Sequence, residues 1–161
     1  MKEELENNNE KGVIDEDDLA PFMQKSRVKE ERNTYKIFGC ECGDGWYGLI
    51  HELCQSITDR YVKEEILPEN IDLNPIQIKE KFGILSYYYS FKDMPCKESV
   101  DDSKKKLRFD IACIVHNYQE KSMSICENCG KSGKLRSDLP WEQTLCDQCY
   151  EKCPNKLKRK Q

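Results

Sequence analysis

The sequence lacks most of the residue patterns on which enzyme mechanisms are built. Its 161 residues include only two histidines, His51 and His116. It has no glycine-rich phosphate loop, no His-Glu-x-x-His helix and no nucleophile elbow. We expect His51 to be solvated on a polar helix face and His116 to pack beside an apolar stripe. The sequence therefore favours a protein without catalytic activity, and a hydrolase is the weaker alternative.

Long apolar runs are also missing. None approaches the roughly 18 residues that a membrane span requires, and the N-terminal segment is acidic where a signal peptide would be basic and then apolar. We therefore expect a cytoplasmic protein without a membrane segment. In that reducing compartment, the ten cysteines favour metal ligands and buried thiols over disulfides.

Charge is distributed unevenly along the chain, although the net charge is only -4. Residues 1–20 carry eight acidic residues against two lysines, and residues 150–161 carry five basic residues against one glutamate. Such segments bury too little apolar surface to offset the entropy of ordering them. We predict an acidic flexible tail over 1–35 and a basic flexible end over 154–161. A tail that enters a basic groove on a partner is the functional alternative.

The intervening residues 36–124 show the periodicities of an α+β core. A helical stripe follows Asp44, a candidate N-cap, and a second runs to about Ser122. Between them, two alternating segments meet near Phe82-Gly83 and predict paired strands. A short helix over 28–32 and a strand over 35–38 are the candidate elements before the first stripe, although the periodicity there is too short to decide. The fold class is thus two helices and a small antiparallel sheet. The two helical stripes comprise Trp46, Leu49, Ile50, Leu53, Ile57 and Tyr61, and Leu107, Ile111, Ile114, Val115 and Tyr118.

Two Cys-x-x-Cys pairs, Cys126 with Cys129 and Cys146 with Cys149, give the strongest chemical signal. Two such turns supply four thiolates in tetrahedral geometry, which suits one structural zinc ion. We predict a zinc-binding module over 125–153 that resembles a zinc ribbon or treble clef and packs on the core. A rubredoxin-like iron site and a redox dithiol are the alternatives. Cys153 could replace one ligand, and a second site is conceivable from Cys40, Cys42, Cys54 and His51.

Aromatic and basic residues indicate two kinds of partner. Trp46, Tyr47, Trp141 and part of the run Tyr87–Tyr89 are the side chains from which protein interfaces draw hot spots. Nucleic-acid binding is the alternative, supported by the basic end, by the run at 104–108 and by tyrosines that could stack on bases. The acidic balance of the chain opposes it, because acidic residues repel phosphate. Protein binding is therefore the preferred interpretation.

Three motifs in order resemble a group of small, largely uncharacterised proteins encoded by bacteriophages and prophages. They are a Cys-Gly-Asp-Gly-Trp opening, a Lys-Glu-Lys-Phe-Gly strand turn and a C-terminal pair of cysteine knuckles, within residues 40–150. The resemblance implies an accessory protein that binds a host protein in the host cytoplasm, for example to inhibit an antiviral defence system. It assigns the metal to the four cysteines and marks further positions to test: Asp44, Gly45, Trp46, Lys79, Lys81, Phe82 and Gly83.

Overall fold

The computed structural model describes residues 33–92 and 101–154, and it shows an α+β fold. The predicted helix at 28–32 lies outside these residues, as do most of the acidic tail and nearly all of the basic end. No helix in the described ranges has both the length and the apolar content needed to cross a membrane.

The helices are α1 (Thr34–Phe38), α2 (Tyr47–Val62), α3 (Asp102–Ser122) and α4 (Asp147–Glu151). The strands are β1 (Cys40–Glu41), β2 (Leu73–Lys81), β3 (Ile84–Phe91), β4 (Lys134–Arg136) and β5 (Gln143–Leu145).

The two long helices follow the apolar periodicity of the sequence. The stripe predicted for α2 is buried from Leu49 to Tyr61, and Trp46 is fully buried just before it. In α3, Leu107, Ile111 and Val115 are buried in the same core. The predicted capping role of Asp44 is wrong, because this residue begins a 3-10 turn over Asp44–Trp46 and its side chain caps neither that turn nor α2. Both helices are therefore fixed by burial of an apolar face.

Strands β2 and β3 form the predicted antiparallel hairpin. Their two-residue turn, Phe82-Gly83, has positive φ at both positions (54° and 73°), as a type I′ turn requires. A bulge between Pro75 and Gln77 changes the alternation of β2. On a regular strand, residues five positions apart face opposite sides. The extra residue at the bulge removes that difference, and Leu73 and Ile78 are both buried.

The sheet is mixed, which corrects the prediction of a purely antiparallel one. The two residues of β1 pair in parallel with β2, Cys40 opposite Ile78 and Glu41 opposite Lys79. The strand predicted over Tyr35–Phe38 is also wrong, because these residues belong to α1. Asn33 caps that helix by accepting a hydrogen bond from the Lys36 backbone N–H at 2.9 Å.

The C-terminal segment forms a second, smaller unit. A hairpin of β4 and β5, with Leu135 opposite Thr144, is followed at once by α4. Its own apolar cluster is small and comprises Cys126, Leu139, Leu145 and Cys146. A cluster of that size supplies little stability alone. The segment therefore depends on its cysteines and on its contacts with the larger core.

Candidate functional site

The four predicted ligands meet in one cluster at the base of the β4–β5 hairpin. The Sγ atoms of Cys126, Cys129, Cys146 and Cys149 all lie within 4.8 Å of one another. Those of Cys129 and Cys146 are 3.6 Å apart. A tetrahedron with zinc–sulfur bonds of about 2.3 Å has edges of roughly 3.8 Å, so these thiols are spaced to hold one metal ion. Gly130 follows the first pair and has φ of 73°. Glycine adopts this left-handed conformation without strain, which allows the chain to close the first knuckle.

Local backbone geometry favours a thiolate at Cys146. This residue caps α4, and its sulfur accepts a hydrogen bond from the Cys149 backbone N–H at 3.4 Å. That hydrogen bond, together with those from the neighbouring thiols of Cys149, Cys129 and Cys126, lowers the pKa of Cys146. A thiolate is the form that binds metal. The helix start therefore prepares one ligand for coordination.

The remaining cysteines of the described ranges do not join the cluster. Cys153 donates a weak hydrogen bond from its thiol to the Cys149 carbonyl oxygen, at 3.5 Å, and is not a member of the ligand group. Within residues 33–92 and 101–154, no group of three ligands that could hold a second ion includes Cys40, Cys42 or Cys54. Burial raises the pKa of Cys42 to about 12, which disfavours the thiolate there.

The Gly-Asp-Gly-Trp segment, predicted as a partner-binding motif, packs against the first knuckle. The backbone N–H of Gly45 donates to the Glu127 carbonyl oxygen at 2.7 Å, and the Trp46 indole N–H donates to the Ile125 carbonyl oxygen at 2.8 Å. A Cβ atom on Gly45 would lie 2.3 Å from the Cys126 carbonyl oxygen. Glycine is therefore the residue that this close approach permits. The Asp44 side chain makes no hydrogen bond or ion pair with another described residue, while its backbone carbonyl oxygen accepts from the Tyr47 N–H.

Glu127 is a residue of the site that the sequence did not reveal. It lies between two ligands and is only 6% exposed. Its Oε1 atom accepts a hydrogen bond from the Gly43 backbone N–H at 3.1 Å, while Oε2 is buried without a partner among the described residues. Burial raises the pKa of its carboxyl group. The sequence Cys-Glu-Asn-Cys carries no signal of this contact, because only the fold brings Gly43 to Glu127.

The Phe82-Gly83 turn also contacts the cysteine module. The Thr144 hydroxyl donates to the Gly83 carbonyl oxygen at 2.7 Å in a buried position. A Cβ atom on Gly83 would lie 2.5 Å from the Leu135 side chain. The Gly83 backbone N–H is held by Glu80 Oε1 at 2.6 Å. Both glycine motifs of the core are therefore contact points for the module.

Phe82 and Trp141 remain exposed beside this contact. They are 66% and 62% exposed and line an open cleft of about 700 Å³ between the β2–β3 turn and the loop that precedes β5. Its lining residues are Glu80, Lys81, Phe82, Ser137, Leu139, Pro140, Trp141 and Glu142. Lys81 lies over the Phe82 ring, with Nζ 5.7 Å from the centroid.

The other marked positions lie elsewhere. Tyr47 is 54% exposed at the start of α2 and does not line the cleft. Lys79 lies on the outer face of the sheet, its Nζ atom 5.8 Å from the centre of the Tyr88 ring. The structure therefore brings Lys81, Phe82 and Trp141 together and leaves Tyr47 and Lys79 out of that site.

Comparison of the chain with protein-family models, with curated proteins and with solved structures gives no match.

Proposed function

We propose that the protein is a noncatalytic binding protein whose Phe82–Trp141 surface contacts a protein partner, and that one structural zinc ion holds this surface together. The Phe82–Trp141 surface is the cleft described above with its two exposed aromatic walls. Buried tryptophan and arginine contacts dominate many protein interfaces, and they cluster in pockets of this kind.

The conformation of Phe82 is the observation that carries the proposal. Its φ of 54° lies in the left-handed region, which costs a bulky residue about 1–2 kcal/mol. Asparagine is the residue that a type I′ turn favours before glycine. The phenyl ring gains little in compensation, because it is 66% exposed. Strained backbone of this kind is concentrated at functional sites, and this supports a binding role for Phe82.

Zinc is the ion that the ligand set suits best. Four thiolates in tetrahedral geometry are typical of structural zinc sites, which leave no position open for water. The cleft loop, residues 137–142, lies between the two cysteine pairs in sequence. A closed metal site would therefore hold that loop against the β2–β3 turn. The module's hairpin and following helix support a zinc ribbon or treble-clef arrangement.

The partner belongs to a host cell in this proposal. The resemblance to phage and prophage proteins supports that origin, and small accessory phage proteins often bind a host protein and redirect or inhibit it. Inhibition of an antiviral defence component is the specific form that we propose. The Gly43–Trp46 segment then serves the fold, because its contacts are with the cysteine module.

The test is capture of a partner by matched variants of the tagged full-length chain from nuclease-treated bacterial lysate. The variants are Phe82→Asn, Trp141→Ala and, as a control, Phe38→Ala, which removes an equally exposed ring (66%) from α1. We expect wild type and Phe38→Ala to retain the same stoichiometric protein, and the two cleft variants to lose it. Phe82→Asn should melt at or above the wild-type temperature, which excludes unfolding as the cause. Equal capture by all four proteins would contradict the proposal.

Nucleic-acid binding is the second candidate, and one feature favours it. Tyr88 is 42% exposed on the outer face of the sheet beside Lys79, and an aromatic ring next to a lysine can stack on a base while the amine contacts phosphate. Nucleic acid that co-purifies and is lost with nuclease and with salt would support this function. The variant Tyr88→Ala should then abolish retention.

A further inference from the structure

We propose that the Phe82–Trp141 cleft receives an arginine side chain of its partner. This inference rests on the proposed function and specifies the partner's chemistry at the same site. It follows from three properties of the cleft: its aromatic walls, its carboxylate rim and its unpartnered polar groups.

The walls and floor suit a flat, extended cation. Phe82 and Trp141 present exposed rings from two different elements, and buried Leu139, 5% exposed, belongs to the same lining. A guanidinium group stacks on aromatic faces, and its alkyl stem packs on apolar surface. Lys81 Nζ already lies 5.7 Å from the Phe82 ring centroid. The Phe82 ring therefore already attracts one cation, that of Lys81.

The rim carries more acid than base. Glu80 and Glu142 line the cleft together with a single ammonium group, that of Lys81. One oxygen of Glu80 accepts the Gly83 N–H at 2.6 Å, which fixes the carboxylate at the turn. A carboxylate next to an aromatic ring offers arginine both a charge-assisted hydrogen bond and a stacking face. The net charge of the chain, -4, also favours approach of a basic partner.

Two polar groups at the cleft have no partner within the chain as described. Neither the Trp141 indole N–H nor the Glu142 carboxylate makes a hydrogen bond or ion pair with residues 33–92 or 101–154. The Glu142 carboxylate is an acceptor that a guanidinium can satisfy, whereas the Trp141 N–H is a donor and would pair with a backbone carbonyl oxygen of the bound arginine residue. Specific binding sites combine a few convergent polar groups with aromatic and aliphatic surface, as this cleft does. The carboxylates also disfavour a phosphate backbone as the occupant.

The two tryptophans of the chain provide the measurement. In a nitrogen–proton correlation spectrum of the zinc-loaded, full-length protein, Trp141 and Trp46 give separate indole signals, and Trp141→Phe assigns them. The probes are the N-acetyl methylamides of arginine, lysine and glutamate. We expect the arginine probe to shift the Trp141 signal saturably and more strongly than the lysine probe. Trp46 is fully buried and hydrogen bonded, so its signal should stay in place.

Charge variants test the role of the rim. Glu142→Gln should weaken binding of the arginine probe about two- to fivefold, the range expected for an exposed ion pair. Glu52→Gln, which removes an exposed carboxylate from α2 outside the cleft, should leave it unchanged. No shift of the Trp141 signal with arginine, or an equal shift with glutamate, would overturn the inference.

The outcome separates this inference from the proposed function. If the cleft variants lose a captured protein while the arginine probe has no effect, the protein-binding function stands and the arginine assignment is wrong. If the probe binds and Glu142→Gln weakens it, but no cleft variant changes capture, the arginine site is supported and the proposed function is contradicted.

Discussion

Gly45 donates its backbone N–H to the carbonyl oxygen of Glu127 at 2.7 Å, which joins the start of α2 to the first cysteine knuckle. Glu127 returns the contact through its side chain, whose Oε1 accepts the N–H of Gly43 at 3.1 Å. The candidate metal site is therefore built into the same contact that holds the two units together. Stability of the knuckle and stability of the core should change together.

Replacement of Gly45 by alanine tests this coupling. The new Cβ would lie 2.3 Å from the Cys126 carbonyl oxygen and 2.5 Å from the Gly130 backbone nitrogen. Both are backbone atoms, so the knuckle itself must move. We expect Gly45→Ala to reduce the free energy of unfolding by at least about 2 kcal/mol and to weaken zinc binding in a competition titration with a chelator.

Gly48 is the matched control for that variant. It lies in α2, and a Cβ atom there meets nothing within 4 Å. Gly48→Ala should therefore stabilise the protein by roughly 0.5–1 kcal/mol, because alanine loses less conformational entropy in a helix. Gly45→Ala with wild-type stability and zinc affinity would show that the close contact does not constrain the knuckle.

The long elements were predictable because their side chains repeat with a clear period. The stripe from Leu49 to Tyr61 continues for more than three turns, and Leu85, Tyr87 and Tyr89 alternate with polar or exposed neighbours. Each period corresponds to one buried face. The cysteine spacing was predictive for a similar reason, since metal coordination restricts the distance between ligands along the chain.

Short elements and contacts between distant segments were not predictable in this way. The residues of α1 are β-branched or aromatic at four of five positions, a composition that suggested a strand. The helix is instead fixed by its ends, with Asn33 as the N-cap and Gly39 at φ of 68° after its last residue. These two capping residues could have identified the helix from the sequence. Nothing in the sequence indicated that Gly43 would meet Glu127.

Thr144 should contribute strongly to the contact between the two units. Its hydroxyl is buried, 1% exposed, and donates to the Gly83 carbonyl oxygen at 2.7 Å. Thr144→Val keeps the shape and removes the donor, so we expect a loss of about 1–2 kcal/mol in urea unfolding. Thr58 makes a comparable hydrogen bond to Cys54 in an exposed position, and Thr58→Val should cost less than about 0.5 kcal/mol. Equal costs for the two variants would show that the Gly83 contact adds no stability.

Alkaline pH should destabilise the core through Tyr89. Burial raises the pKa of Tyr89 to about 12, whereas a tyrosine in the unfolded chain titrates near 10. The stabilising contribution of the protonated hydroxyl is therefore complete below pH 10 and is lost as the pH rises towards 12.

Tyr89→Phe removes this ionisation and should make the urea midpoint fall less steeply above pH 10. Tyr88→Phe, at the neighbouring exposed position, should reproduce the wild-type profile. Identical profiles for all three proteins would contradict the assignment.

Loss of the metal should dismantle the Phe82–Trp141 surface while the helices persist. Cys126→Ser removes a fully buried ligand and leaves a small apolar cluster to hold the module. We expect about one zinc per chain in wild type and none retained by the variant, together with a lower melting temperature. The loss should also expose the Trp46 indole to a soluble fluorescence quencher, because its hydrogen bond to Ile125 lies at the module boundary.

Cys153→Ser, outside the ligand group, is the matched control and should retain zinc, melting temperature and protection of Trp46. If Cys126→Ser keeps its metal, or Cys153→Ser loses it, the assignment of the four ligands is wrong.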